Sequence, residues 1–415
     1  MPNATGLDRR MTDAIDRIGR ADLLVGIPSY RNAATIGHVA RTVVEGLRRS
    51  FPRLRGVVVN ADGGSDDRTP DRLSEALDGM PAVVGAYVGP PGKGSAFRAV
   101  FEAAEMLGVR ACAVVDSDLR SITPEWIERL LAPVVAGTVD YVTPLYARHK
   151  HDGTITNTIA YPLTRALYGK RVRQPIGGEF AFSGDLARRF LGGGAFVPAD
   201  QVWSTDIARF GIDIYMTTTA LVRGARLAQA YLGAKIHDPK DPGADLGPMF
   251  RQVVGTAFRL ARSNTPAWRA ATGSVEVPVV GEARAVEPEE VRADAALLVR
   301  KLRAGAAEHA GVWRDALSPE ASAAVRRALD EDVPHSLAGE MWTTIVYDLL
   351  AASARRPERT DAVVLALVPL YFGRVAAFIA DARDMTTSAA ERLVEEQAVA
   401  FEERKAYLVA AWPAA

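Results

Sequence analysis

Ala111-Cys112-Ala113-Val114-Val115-Asp116-Ser117-Asp118 runs five apolar residues into two carboxylates separated by a serine. The apolar part, Ala111–Val115, reads as a strand buried on both faces, and the polar triplet marks its end. Two acidic side chains delivered to the end of a buried strand are costly unless something cationic meets them. A hard divalent ion such as Mg²⁺ or Mn²⁺ meets that need, because these ions take oxygen ligands and bridge to diphosphates. The plainer alternative is a solvated loop that caps the following helix.

The same pattern repeats on both sides of this stretch. Strands are expected at Leu23–Ile27, Gly56–Asn60, Ala82–Val88 and Tyr141–Leu145, with helices at Ala34–Arg49, Pro70–Leu77, Ser95–Leu107 and Pro124–Val135. Thr123 is a candidate N-cap for the last of these, with proline in its first turn. Short apolar strands alternating with helices predict an α/β, Rossmann-like domain with a mostly parallel sheet covered on both faces. Ligands in such folds bind at the carboxyl ends of the strands, which directs attention to Pro28–Arg31, Asp62–Asp67, Gly89–Gly94 and Asp116–Asp118.

Composition divides the chain near residue 280. Thirty of the 35 glycines lie in residues 1–280 and five in residues 281–415. The expected organisation is therefore a loop-rich domain over 1–280 and an α-helical domain over 281–415, joined around Val275–Glu287. Helices are expected in the second part at Pro288–Arg303, Pro319–Leu329, Glu340–Ser353, Asp361–Ala380 and Thr387–Ala411.

Lys plus Arg and Asp plus Glu are both 50 of 415 residues, so no general pull toward nucleic acid or an anionic membrane is expected. The single cysteine, Cys112, excludes an intramolecular disulfide and a cysteine-cluster metal site, as in a reduced, cytoplasmic protein. Met1–Arg20 lacks the apolar core of a signal peptide. The longest apolar run, Ala362–Phe372, falls short of the roughly 20 residues of a membrane helix. A soluble protein is the expectation.

Other stretches carry possible chemistry, each with a plainer reading. Pro90-Pro91-Gly92-Lys93-Gly94 opens a helix with a lysine between glycines, a good anion contact or a simple tight turn. It is not a Walker loop, since glycine and not Ser or Thr follows Lys93. Asn60 to Asp67 is a polar turn after a strand that resembles a calcium loop without its closing glutamate. Gln174-Pro175-Ile176-Gly177-Gly178-Glu179 reads as an exposed loop presenting Glu179. Asp213 is a lone carboxylate in an apolar helical stretch, structural or functional. His237 follows the strand-like run ending in Leu232-Gly233-Ala234-Lys235-Ile236. Arg148-His149-Lys150-His151 is a basic cluster in a neutral protein, either a solvated loop or a seat for a small anion.

Taken in order, these segments resemble the retaining glycosyltransferases that make mannosylglycerate and glucosyl-3-phosphoglycerate. The resemblance rests on Ile27-Pro28-Ser29-Tyr30, the Asp62 turn, Pro91–Gly94, Asp116–Leu119, Gln174–Glu179, Gly211–Asp213 and Leu232–His237, over about residues 20–270. The helical tail looks like the C-terminal domain of mannosylglycerate synthases, most clearly from Glu340 to Tyr347. The resemblance implies a GT-A nucleotide-sugar-binding fold and a metal-dependent transfer of glucose or mannose from a UDP- or GDP-sugar to D-glycerate or 3-phosphoglycerate. Products of that kind are compatible solutes or polysaccharide precursors.

By the same resemblance Asp118 and His237 ligate Mg²⁺ or Mn²⁺, with Asp116 beside the metal and the donor ribose. Pro28, Tyr30, Asp62 and Lys93 lie along the donor nucleotide, and Gly178 and Glu179 face the sugar. Asp213, Glu179 and Lys93 surround the reacting centre. Arg148, Gly153, Thr154, Ile155 and Thr156 take the acceptor, and a homodimer is implied. Two departures matter. Arg31-Asn32 stands where many GT-A enzymes carry an acid, leaving the base open, and Thr154 stands where phosphoglycerate-using relatives carry an arginine, favouring unphosphorylated glycerate. Alternatives are a transferase acting on another small or lipid-linked acceptor, and a catalytically silent nucleotide-sugar-binding protein.

Overall fold

The computed structural model describes residues 5–192, 202–236, 246–282 and 288–414. In chain order the elements begin α1 (Arg9–Ile18), β1 (Leu23–Ser29), α2 (Ile36–Ser50), β2 (Gly56–Asp62), α3 (Thr69–Ala76), β3 (Ala82–Ala86), α4 (Lys93–Leu107) and β4 (Ala111–Val114). They continue α5 (Pro124–Val135), β5 (Tyr141–Ala147), α6 (Tyr161–Tyr168), β6 (Lys170–Arg171), β7 (Phe180–Ser183), α7 (Gly184–Leu191), α8 (Ile212–Val222) and β8 (Leu227–Ala234). Then come α9 (Leu246–Ser263), α10 (Thr265–Ala270), β9 (Val275–Glu276), β10 (Val279–Val280), α11 (Ala295–Ala316) and α12 (Pro319–Asp330). The last four are α13 (Gly339–Arg355), α14 (Thr360–Asp381), α15 (Thr387–Glu403) and α16 (Lys405–Ala411).

The chain forms two compact units. The first comprises Met1–Ala147, Ile176–Asp238 and Val277–Pro288, and the second Arg148–Pro175, Pro239–Glu276 and Glu289–Ala415. The second unit thus gathers two earlier stretches in addition to the C-terminal helices.

The first unit is the expected α/β domain with a mostly parallel sheet, ordered β10-β8-β5-β7-β4-β1-β2-β3. All seven residues of β1 are buried, as a run of apolar residues between two neighbours requires. Only β7 reverses direction, pairing antiparallel with β4 and β5. Val39, Val43 and Leu47 of α2 and Ile127, Leu130 and Leu131 of α5 join Val25 and Ile27 in one core. An aromatic cluster of Phe101, Phe182, Phe190 and Trp203, with centroids 5.2–6.4 Å from Phe101, forms another part of the interior. Fully burying each such ring contributes about 1.5–3 kcal/mol. Thr123 occupies the N-cap of α5 with extended backbone, but its side chain accepts no capping bond.

The second unit is mainly helical. Trp342 Nε1 donates to Thr158 O at 2.7 Å, and Arg165, 2% exposed, lies between Glu395 and Glu402 at 2.6 and 2.7 Å. These contacts tie α6 and its preceding turn to α13 and α15. Two boundaries differ from expectation. The helix expected at Pro288–Arg303 begins at Ala295, where Asp294 caps Leu297 N, and runs on to Ala316. The helix expected over Thr387–Ala411 is broken at Arg404 into α15 and α16.

The helix expected at Asp361–Ala380 is α14, Thr360–Asp381, and it runs past the unbroken apolar stretch Ala362–Phe372 through Gly373 and Arg374. Pro357–Asp381 is long and apolar enough to cross a membrane by length and composition, with 83% of its most apolar window buried inside the protein. Its neighbours are α9, α11 and α13, and Trp313 Nε1 of α11 donates to Ala366 O at 2.8 Å. Burial among helices gives the same apolar composition that lipid does.

Candidate active site

At the carboxyl edge of the first unit's sheet, five charged side chains from distant parts of the chain converge. Asp116 follows β4 and Lys235 follows β8. Glu179 precedes β7, whose reversed direction brings its amino end to the edge where its neighbours finish. Lys93 starts α4, and Asp213 lies in the first turn of α8.

Lys93 Nζ lies 2.9 Å from Asp116 Oδ1 and 3.5 Å from Asp213 Oδ1. Lys235 Nζ donates to Asp116 Oδ2 at 3.1 Å, to Glu179 Oε2 and Oε1 at 2.9 and 3.1 Å, and to Gly177 O at 2.8 Å. Tyr146 of β5 donates its hydroxyl to Glu179 Oε2, and Asp116 N donates to Glu179 Oε1 at 3.3 Å. Three carboxylates thus share two ammonium groups.

Burial opposes the charge of Lys93, but Asp116 and then Asp213 outweigh it and raise its pKa. Burial pushes Glu179 up to about 8 against the pull of Lys235. Burial likewise raises Asp213 against the pull of Lys93. Among the described residues Asp213 Oδ1 is buried without a hydrogen bond of ordinary geometry, and Lys93 stands 3.5 Å away. Such an oxygen is a candidate contact for a substrate hydroxyl.

Two glycines set this geometry. Gly178 has φ +99°, and a Cβ there would lie 2.3 Å from Asp116 Oδ2 and 2.9 Å from Lys235 Nζ. A Cβ on Gly94 would lie 1.8 Å from Ile207 O, and Gly94 N donates to Arg209 O at 3.1 Å. The Gly92–Gly94 turn therefore packs against the protein's own 207–209 backbone while it aims Lys93 into the cluster.

The remaining expected residues fall in several places. Pro28 is buried in β1, and Tyr30 beyond it is 54% exposed. Asp62 accepts from Gly64 N at 2.9 Å, Ser65 N at 2.6 Å, Ser29 Oγ at 2.6 Å and Ser65 Oγ at 2.8 Å. Its carboxylate builds the turn after β2. Arg31 pairs with Asp66 at 2.7 Å, and Asn32 Oδ1 accepts from Ser117 Oγ at 2.8 Å, linking the β1 loop to the aspartate motif. Glu179, expected on an exposed loop, is wholly buried because Lys235 and Tyr146 enclose it.

Asp118 is half-buried and takes no hydrogen bond from any described residue. His237, the other expected metal ligand, lies outside the described residues. Among the described residues no three His, Cys, Asp or Glu side chains group as a metal site; Asp116 is bound up with the two lysines.

The expected acceptor residues lie in the second unit. Gly153 has φ +64°, and its N–H donates to Asp152 Oδ1 at 2.7 Å. Arg148 Nη1 stands 3.3 Å from Asp152 Oδ2. Thr154, Ile155 and Thr156 are all buried, and Thr154 Oγ1 is 2.6 Å from the Tyr371 hydroxyl. Lys150 Nζ donates to Ala382 O, Arg383 O and Met385 O at 2.7–2.8 Å, so one cation of the basic cluster caps the end of α14.

Lys235 and Tyr146 were not singled out by sequence. The available signal for Lys235 was its position, a lysine directly after an apolar strand and two residues before His237.

No protein-family model matches the chain, and no curated protein matches it. Solved structures do. Glucosyl-3-phosphoglycerate synthase from Mycobacterium tuberculosis in complex with Mn²⁺, UDP and phosphoglyceric acid is 24% identical, over 62% of this chain and 86% of that one, with a TM-score of 0.44. The same enzyme with Mn²⁺, UDP-glucose and phosphoglyceric acid is 23% identical, over 63% and 88%, with a TM-score of 0.44. A mycobacterial protein of unspecified activity is 25% identical, over 62% and 80%, with a TM-score of 0.43.

Proposed function

We propose that this chain is a metal-dependent, retaining hexosyltransferase of the GT-A type. It moves glucose or mannose from a UDP- or GDP-sugar to D-glycerate or 3-phosphoglycerate. The observation that carries the reading is the convergence of Lys93, Asp116, Glu179, Asp213 and Lys235 at one sheet edge. All five residues lie within the segments on which the resemblance to the glycerate transferases rests.

The donor set suits a hard divalent ion, Mg²⁺ or Mn²⁺, because the Asp118 carboxylate is not spent on any described partner. Asp118 and His237 would hold it, with Asp116 alongside. When bound, the ion supplies charge stabilisation to the departing diphosphate. Lys93, kept charged by Asp116 and Asp213, acts on the same developing charge, a contribution of about 3–4 kcal/mol for one well-placed donor. Gly178 faces the sugar, the buried Glu179 holds Lys235 in place, and Asp213 positions the reacting groups. The acceptor hydroxyl bonds to the anomeric carbon as the bond from that carbon to phosphate oxygen breaks on the same face. Its proton passes to the leaving phosphate oxygen.

The acceptor is assigned to Arg148–Thr156, and the absence of an arginine at Thr154 favours unphosphorylated D-glycerate. The proposal includes a cytoplasmic homodimer, in keeping with the resemblance and with a single, buried cysteine, Cys112.

The test is nucleotide diphosphate release with UDP-glucose, GDP-glucose and GDP-mannose against D-glycerate, 3-phosphoglycerate and no acceptor. Each pair is run with Mg²⁺, with Mn²⁺ and with a chelator. Acceptor-dependent, chelator-sensitive release is expected. Silence across every combination would sink the glycerate assignment.

A further inference from the structure

At the opposite, amino edge of the sheet, the first unit contains a cavity of about 530 Å³. Leu23 and Gly56, the first residues of β1 and β2, line it together with the end of α2. Its volume lies within the roughly 300–1,000 Å³ of small-molecule sites. Ile18, Leu54 and Met80 are among its apolar lining, and among the described residues Arg20, Arg48 and Arg55 are the charged ones.

No acid lines it. Arg48 is paired with Asp78, and Arg55 stands 3.6 Å from Asp22, but neither carboxylate faces the cavity. The Arg20 side chain makes no hydrogen bond or ion pair among the described residues. An apolar floor under three guanidinium groups complements a ligand with an apolar body and an anionic head. Neither a nucleotide sugar nor glycerate has that character.

We propose that this cavity is a second ligand site, separate from the aspartate-motif edge, for a small anionic amphiphile. The apolar body lies on Ile18, Leu54 and Met80, and the head group meets Arg20.

The probe is 8-anilinonaphthalene-1-sulfonate, whose fluorescence is titrated with the full-length protein. Octanoate and octanol are the charged and neutral competitors. Saturable binding that octanoate displaces and octanol does not is expected. Arg20→Glu, an exposed substitution that leaves the core intact, should weaken the probe roughly tenfold by reversing the head-group charge. Met80→Glu should weaken it similarly, from inside the apolar wall. Circular dichroism confirms that each variant is folded. Equal displacement by octanol, or probe binding unchanged in both variants, overturns the proposal.

Discussion

Replacing Lys235 by methionine removes a cation that Asp116 and Glu179 share while keeping most of the side-chain volume. Lys235 is 5% exposed on its side chain, and Glu179 is 0% exposed. At 2.9 Å and an effective dielectric near 20, the attraction of an ionised Glu179 alone is about 6 kcal/mol. Desolvation of both ions cancels much of it, so the net loss on orphaning a buried partner is about 3–5 kcal/mol. The loss depends on pH because Glu179 titrates near 8. At pH 8.5 Glu179 is mostly ionised beside Lys235, and at pH 5.5 it is protonated. A group titrating near 8 takes up its proton at pH 8.5 for less than about 1 kcal/mol, so the cost of Lys235→Met should fall by at most that much at pH 5.5, where Asp116 keeps Lys93 at 2.9 Å. Urea denaturation followed by circular dichroism, at both pH values, measures this. Lys235→Met/Glu179→Gln should lie within about 1 kcal/mol of Lys235→Met at pH 8.5, since Glu179 without Lys235 already holds its proton there. A Lys235→Met variant within about 1 kcal/mol of the parent at pH 8.5 would refute the shared-cation account.

Other outcomes follow from the same cluster. Glu179 holds a proton in the folded chain that the unfolded chain releases, so its contribution to stability falls as pH rises through the window from about 4.5 to about 8; burial raises Asp213, which acts in the same direction. The slope is at most about 1.4 kcal/mol per pH unit for each proton, and Glu179→Gln should flatten it in a series of urea midpoints. Gly178→Ala forces φ +99° on an alanine and presses its Cβ onto Asp116; a loss of about 2–3 kcal/mol is expected, and an unchanged melting curve would contradict it. In the transferase assay Lys93→Ala should lower kcat about 10²–10³-fold with little change in donor KM; a pure KM effect would assign Lys93 to ground-state binding.

The strands that carry the candidate site were legible because buried parallel strands write themselves as short apolar runs. Ala111–Val115 was expected and Ala111–Val114 is observed, and Tyr141–Leu145 extends to Ala147. Strand β7 was not legible, since four residues, Phe180–Ser183, are too few to show a period, and their reversal depends on pairing with β4 and β5. That reversal explains why Glu179 was read as exposed. The turn glycines were correctly placed at a sheet edge, but Gly94 is needed by the 207–209 backbone, which nothing local announces. The partnership of Lys235 with Glu179 and Asp116 spans 56 and 119 residues, beyond any spacing rule. Arg148-His149-Lys150-His151 reads by charge as either a solvated loop or an anion seat, and nothing local announces that Lys150 closes a helix end 232 residues or more away in sequence.

The second unit's interleaved chain path has a consequence during synthesis. Arg165 leaves the ribosome as an unpaired cation, because its partners Glu395 and Glu402 follow 230 and 237 residues later. At roughly 5–20 residues per second that interval is on the order of 10–50 s. Trp342, which bonds Thr158 O, arrives 184 residues after it. For that period the stretch from Arg148 to Pro175 has none of its α13 or α15 partners, although the strands on either side of it can already pair. Nascent chains halted before Trp342 should therefore expose this stretch to proteases while the β1–β5 core resists them.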